Sequence, residues 1–252
     1  MRAILDLPYS DFLLRVGEGH EPEDLDGKIS LCQDLLIQFN NKNESLNKLM
    51  DFVFSDLCLY SLDPYKMINK CVLTPKNSCV DDINEMIIDQ FPGQAYVYMS
   101  TDRTLNERDQ GDYQDFLNSL NLKGLPPSLK QHVLCAEIAV GEHRGKQVVL
   151  LRIPLQTSDT EKIGIPLKHI LFPIKLCFAM TINKSQGQTL ERVGIYLHEP
   201  VFSHGQLYIA LSCAKMATAV KVLIMLPTFH DTVVEVKTLN VVYREILELA
   251  KN

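Results

Sequence analysis

The chain has 252 residues, 46% of them hydrophobic and 22% charged, a composition that excludes a disordered tail, a collagen-like fibre and a low-complexity linker. Its length suits one large domain or two small ones. Lys and Arg number 25 against 31 Asp and Glu, a net charge of −6, which excludes a uniformly basic nucleic-acid coat.

In chain order, Asp11–Val16 reads as a short helical turn stopped by Gly17, and Glu18–Lys28 as an acidic, turn-rich loop. Ser45 is placed to cap a helix whose apolar positions, Leu46, Leu49, Met50, Val53, Phe54 and Leu57, share one face of a 3.6-residue period. Cys71–Leu73 is a short buried strand ended by Thr74 and Pro75. Asn77 can cap a second helix with Val80, Ile83 and Ile87 on one face. Gln94–Met99 alternates as a strand does, and Asp112–Leu120 has helical character. Val133–Val140 and Gln147–Ile153 flank a glycine-bearing turn and predict a hairpin.

The last third is the most regular. Ile174–Met180 is an apolar run broken by Lys175 and predicts a buried strand, and Ser185–Leu190 opens a helical turn. Val193–Leu197 is a strand, Ser203 can cap a helix over His204–Ser212, Val220–Leu226 is a strand and Val241–Leu249 a closing helix. Strands alternating with helices predict an α/β fold with a mostly parallel sheet and a small β insert over 124–153.

Charge is unevenly spread. Residues 1–60 carry a net −6, residues 61–110 a net −3 and residues 111–252 a net +3, with 8 basic and 3 acidic groups over 144–192. Contact with a polyanion is thereby confined to one face, although a solvated mixed surface has the same pattern. The seven cysteines are odd in number, contain no C-x-x-C pair and lie mostly in apolar runs. They read as reduced core thiols of a cytosolic or nuclear protein, with no zinc site. The N-terminal run MRAILDLPYSDF lacks the apolar core of a signal peptide. The apolar stretch His169–Ile182 is too short to cross a bilayer. A soluble chain without a membrane partner is expected.

The densest chemistry lies in TINKSQGQTL (Thr181–Leu190) and HGQLYIALS (His204–Ser212). The first run gathers hydroxyls, amides, one cation and a glycine just past the carboxyl end of a strand, where open α/β sheets bind ligands. Lys184 offers a point charge and Gly187 lets a backbone approach closely, which suits phosphate oxygens. A polar loop leading into a capped helix would have the same composition.

These two runs resemble neighbouring signature motifs of the Petite-integration-frequency (Pif-like) ATP-dependent DNA helicases, in the branch of Helitron transposons and their plant relatives. FLLRVGEG (Phe12–Gly19), VLTPKNSCVDDIN (Val72–Asn84), DFLNSLNLKGLPP (Asp115–Pro127), FPIKLCFAM (Phe172–Met180) and LNVVYREIL (Leu239–Leu247) are similar to that family in the same order. The resemblance implies the second of two RecA-like domains, which together clamp ATP and Mg²⁺ in a cleft and move 5′-to-3′ along single-stranded DNA. It divides the chain into an acidic lead-in segment with helices (1–68), the second RecA-like domain (69–110 and 166–252) and a shortened β-rich insert, a truncated small β-barrel (111–165). It implies that Thr74 and Asn77 belong to a motif contacting DNA, and that Thr181, Lys184, Ser185, Gln186 and Gly187 couple DNA to the nucleotide cleft. Gln206 and Tyr208 belong to the cleft side, although Tyr208, between Leu207 and Ile209, could equally be core. It also implies nuclear localisation and a role of the DNA repair, recombination or telomere-maintenance kind.

Three departures qualify it. No G-x-x-x-x-G-K-[ST] run occurs, so the phosphate nest and the Mg²⁺ hydroxyl of the first domain are missing. The family's arginine after ALS, which reaches the γ-phosphate, is Cys213 here, and a thiol supplies no fixed bidentate cation. The join between Leu125–Lys130 and His132–Val140 is shorter than in the family. The expectation is a C-terminal helicase portion without catalytic residues or cofactor of its own, dependent on a first RecA-like domain in trans. The alternative is an inactive remnant that binds single-stranded nucleic acid or has no function.

Overall fold

The computed structural model describes residues 3, 6–55, 57–93, 100–104, 133–156, 167–225 and 236–245. Its elements in chain order begin with α1 (Leu7–Glu18), β1 (Lys28–Ser30), α2 (Lys42–Val53), α3 (Leu57–Leu62), β2 (Lys70–Thr74) and α4 (Asn77–Asp89). Then come β3 (Thr101–Thr104), β4 (Val133–Glu137), β5 (Gln147–Leu151), β6 (Ile153–Gln156) and β7 (Leu167–Leu171). The series closes with β8 (Ala179–Thr181), β9 (Arg192–Leu197), α5 (Gln206–Ser212), β10 (Val220–Ile224) and β11 (Lys237–Leu239). Two compact units result, residues 1–92 with 177–252, and residues 93–176.

The first unit is built on a four-stranded, all-parallel sheet in the order β10-β9-β2-β8. Its strands are apolar on both faces, as a sheet covered on both sides requires. Cys71 and Leu73 of β2, Val193, Ile195 and Leu197 of β9, and Val220, Val222 and Ile224 of β10 join one core cluster. Tyr9, Leu13 and Val16 of α1 and Leu207, Ala210 and Leu211 of α5 complete it. The alternate residues Val72, Tyr196 and Leu223 join a second cluster with Leu46, Leu49, Met50 and Val53 of α2 and Val80, Ile83 and Ile87 of α4. The period-two alternation of the strands thus sends successive side chains to two helical layers. The expected parallel α/β sheet is present. The helices of the first 53 residues cover both of its faces. Strands β1 and β11 add an antiparallel pair at Ile29 and Thr238.

The second unit is antiparallel. The β4–β5 pair is the expected hairpin, in register from Val133–Leu151 to Glu137–Gln147. Strands β3, β7 and β6 form a separate three-stranded sheet.

Several local expectations are corrected. The first helix runs through Gly17, because Asp6 accepts from Tyr9 N at 3.2 Å to start it and Gly19, at φ 71°, ends it. Gly17 instead makes room: a Cβ there would stand 2.9 Å from the Tyr208 ring. The cap of α2 is Asn41, whose Oδ1 accepts from Glu44 N at 2.9 Å, while Ser45 is buried inside the first turn. The N-cap position of α4 is Lys76 rather than Asn77, with no side-chain cap.

The run Ile174–Met180 yields only the three-residue strand β8, with Ile174 and Leu176 exposed. Its pairing with β2 covers Val72–Thr74 alone, so nothing extends the ladder backwards. The helical turn expected from Ser185 falls earlier, as a 3₁₀ turn over Ile182–Ser185, because fully buried Ile182 must enter the core. Helix α5 starts at Gln206 behind Gly205, at φ 67°, without a cap from Ser203. Of the seven cysteines only Cys71, Cys79 and Cys213 are buried; Cys32, Cys58, Cys135 and Cys177 are exposed, and none is disulfide-bonded. Gln94–Met99, Asp112–Leu120 and the closing helix beyond residue 245 lie outside the described residues. No helix among the described residues is long and apolar enough to cross a membrane.

Candidate functional site

Parallel strands end together, and here the carboxyl ends of β2 and β8 are neighbours, with Thr74 paired in register with Thr181. That pairing brings two motifs separated by a hundred residues to one edge. Pro75, which cannot continue the ladder, turns the chain into α4, leaving Lys76 and Asn77 exposed at the helix start. Thr74 itself is fully buried, and its Oγ1 has no hydrogen-bond partner. Inside α4, buried Asn84 accepts from Ala179 N at 2.9 Å and so fixes the start of β8.

Beyond Thr181 the 3₁₀ turn is anchored from within. Ile182 is fully buried, and Ser185, also fully buried, donates from Oγ to Ile182 O at 2.7 Å. Between and after these anchors Asn183, Lys184, Gln186, Gly187 and Gln188 are exposed. Gly187 sits at φ 87° with open space where a Cβ would be, a conformation that glycine adopts without strain. The result is a rigid base carrying one cation and several amides into solvent.

The second motif is tied to the first by side chains. Gln206, 1% exposed, donates from Nε2 to Asn183 Oδ1 at 3.2 Å and accepts from Phe202 N at 3.0 Å. Cys213, also 1% exposed, lies under the same turn, its Sγ 3.4 Å from Ser185 Oγ and 3.2 Å from Ile209 O. Leu190 N donates to Cys213 O at 2.9 Å and closes the junction. Tyr208 points elsewhere: its half-buried ring packs on Gly17 of α1.

The structure therefore gathers Thr74, Asn77, Thr181, Lys184, Ser185, Gln186, Gly187 and Gln206 about one edge, with Tyr208 in a helix–helix contact. Asn183, read from the sequence only as one of the run's amides, orients the turn, and Asn84, which sequence reasoning missed, orients β8. Asn84 was visible as a polar residue on the apolar face between Val80 and Ile87. Sequence reasoning also missed Lys76 and Glu199, ion-paired across this edge. No three His, Cys, Asp or Glu side chains are grouped to hold a metal among the described residues. The thiol at position 213 is buried beneath the turn and supplies no fixed cation to a phosphate.

No family model matches the chain. Curated proteins do. The Pif1 ATP-dependent DNA helicase of Campylobacter jejuni is 45% identical over 91 residues, covering 34% of this chain and 20% of that protein. The PIF1 helicase of Xenopus laevis is 28% identical over 168 residues, 57% of this chain and 26% of that one. The RRM3 helicase of Saccharomyces cerevisiae is 37% identical over 65 residues, 26% of this chain and 9% of that protein. Among solved structures, the crystal structure of Pif1 helicase from Candida albicans matches all of this chain and 58% of its own length, with a TM-score of 0.52 at 20% identity. That likeness shows the fold, an α/β domain of RecA-like kind. By sequence and by fold, the chain is similar to Pif1-type ATP-dependent DNA helicases and spans only part of their length.

Proposed function

We propose that this chain is the C-terminal part of an ATP-dependent 5′-to-3′ DNA helicase, of the Helitron-like plant branch, and that its own chemistry is to hold single-stranded DNA. The carrying observation is the Thr74–Thr181 register. It aligns the exposed start of α4 with the exposed turn around Lys184, so one strand backbone can run along both. In this reading Asn77, Lys184 and Gln186 contact the strand, with Gly187 leaving room for it. Thr74, Thr181 and Ser185 form the supporting floor, and Gln206 relays the position of the turn to α5. Tyr208 belongs to the cleft-side motif through its helix.

The division that accompanies this reading has 1–68 as the lead-in segment, 69–110 with 166–252 as the second RecA-like domain and 111–165 as a shortened insert. The antiparallel strands β4 to β6 support a β-rich insert. ATP and Mg²⁺ would be held only with a phosphate-binding domain supplied by a partner or a longer product, in a nuclear setting. Cys213 favours the second reading, an inactive strand-binding remnant, for the chain by itself.

The test is fluorescence anisotropy with a labelled single-stranded oligonucleotide, beside a coupled ATPase assay. Binding should weaken with salt, and Lys184→Ala should weaken it by roughly threefold to tenfold and lower the salt slope by about 0.7, one phosphate contact. ATP turnover should stay at background with or without DNA. An affinity unchanged by Lys184→Ala would reject the assigned contact, and clear turnover would reject the dependence on another domain.

A further inference from the structure

The salt bridge between Lys76 Nζ and Glu199 Oε2 crosses the edge just described. Lys76 occupies the N-cap position of α4, between Thr74 and Asn77. Glu199 lies two residues past Leu197, the last residue of β9. Both side chains are 48% exposed. An ion pair this wet contributes little to folding stability. Its charges nevertheless sit at the surface where a polyanion would run. Lys76 adjoins Asn77 at the start of α4, and its ammonium is paired with Glu199, which follows β9 on the side of β2 away from β8 and Lys184.

We infer that Lys76 is a phosphate-contacting residue held in reserve, and that Glu199 competes with the single strand for it. The inference rests on the strand-contact reading above and adds a regulator to that site. A strand that approaches the edge must draw the ammonium away from Glu199 and bring a phosphate near that carboxylate. Both requirements lower affinity, so the pair sets how loosely the strand is held. A translocating or transiently bound strand needs such looseness, because a strand gripped at every position cannot be released.

The experiment is an anisotropy salt titration on the full chain with fluorescein-labelled oligo(dT). It compares the unmodified chain with Glu199→Gln, Lys76→Gln, the double variant and Lys184→Ala, each checked by thermal melting. Glu199→Gln keeps the shape of the side chain and removes its charge. It should tighten binding by roughly threefold to tenfold and steepen the log-affinity against log-salt line by about 0.7, the increment of one more phosphate contact. In the Lys76→Gln background the same change should add much less and leave the slope alone.

An equal gain in both backgrounds would show a general charge effect and overturn the inference. So would no gain together with a lowered melting temperature, the signature of a merely structural latch. If oligo(dT) binding falls with Lys184→Ala but ignores Glu199, the regulator fails and the strand-contact reading stands. If no variant binds oligo(dT), both fail together.

Discussion

Gln206 shows how much one amide can organise. Its two ends satisfy Asn183 Oδ1 and Phe202 N at once, from a position 1% exposed. Gln206→Ala removes both hydrogen bonds and frees Asn183 Oδ1 and Phe202 N, a loss of about 1–3 kcal/mol at roughly 0.5–1.5 kcal/mol for each bond. A denaturant melt should show that loss, and oligonucleotide affinity should fall with it because the turn carrying Lys184 is no longer held. A full-strength turn in Gln206→Ala would mean that Ile182 and Ser185 anchor it alone. Cys213 makes the same point in reverse. The resemblance implies an arginine at this place, and the structure has the Cys213 thiol tucked beneath Ser185. Lys215, two positions on, is exposed and not buried beneath the turn.

At the scale of elements, close approach is set by two glycines. Gly194 in β9 lies under α2, and a Cβ there would come within 2.8 Å of Val53 Cγ2 and 3.1 Å of Leu49 Cγ. Val53 and Leu49 are both fully buried and have nowhere to retreat. Gly194→Ala should therefore cost about 1–3 kcal/mol, the ordinary range for overpacking, read as a lowered midpoint in urea with the slope unchanged. A neutral result would mean that α2 slides on the sheet. The Gly17 contact is softer, since the opposing group is the edge of the Tyr208 ring. Periodicity made α2 and α4 legible, because their buried positions follow the 3.6-residue spacing. Their caps were misassigned because Ser45 and Asn77 have cap-forming chemistry one to four residues from the actual boundary. Local chemistry alone does not choose among adjacent candidates.

For the whole molecule, two buried phenols and a buried thiol make the fold sensitive to alkali. Burial pushes Tyr196 up to about 12. Burial, and then the charge of Asp6, raises Tyr9, whose hydroxyl donates to Leu211 O at 2.9 Å. Burial also raises the Cys71 thiol. Each is an acid whose folded value lies above its unfolded one. Below about pH 8.5, where the unfolded thiols and phenols keep their protons, their contribution is fully present. As pH rises past the ordinary thiol and phenol values, the unfolded chain releases protons that the folded chain retains, and stability falls. The melting temperature should therefore drop from pH 9 towards pH 12, and drop less steeply in Tyr196→Phe. A melting temperature level to pH 11 would contradict the burial of these groups.

Some of this was decided by the sequence itself. The alternation of apolar strands with helical periods sets the parallel α/β class, because a strand buried on both faces must be apolar throughout. The runs Thr181–Leu190 and His204–Ser212 carry the family likeness. The absence of a glycine-rich phosphate loop in these 252 residues is likewise a matter of composition and order. Tertiary structure alone decided that Thr74 lies beside Thr181, because strand order depends on which helices fill which face and not on local spacing. It also decided that α1 and α2 cover opposite faces of the sheet, that Tyr208 rests on Gly17, and that Glu199 reaches Lys76. Each of these joins residues far apart in the chain, and only the packing of a shared core brings such residues within contact distance.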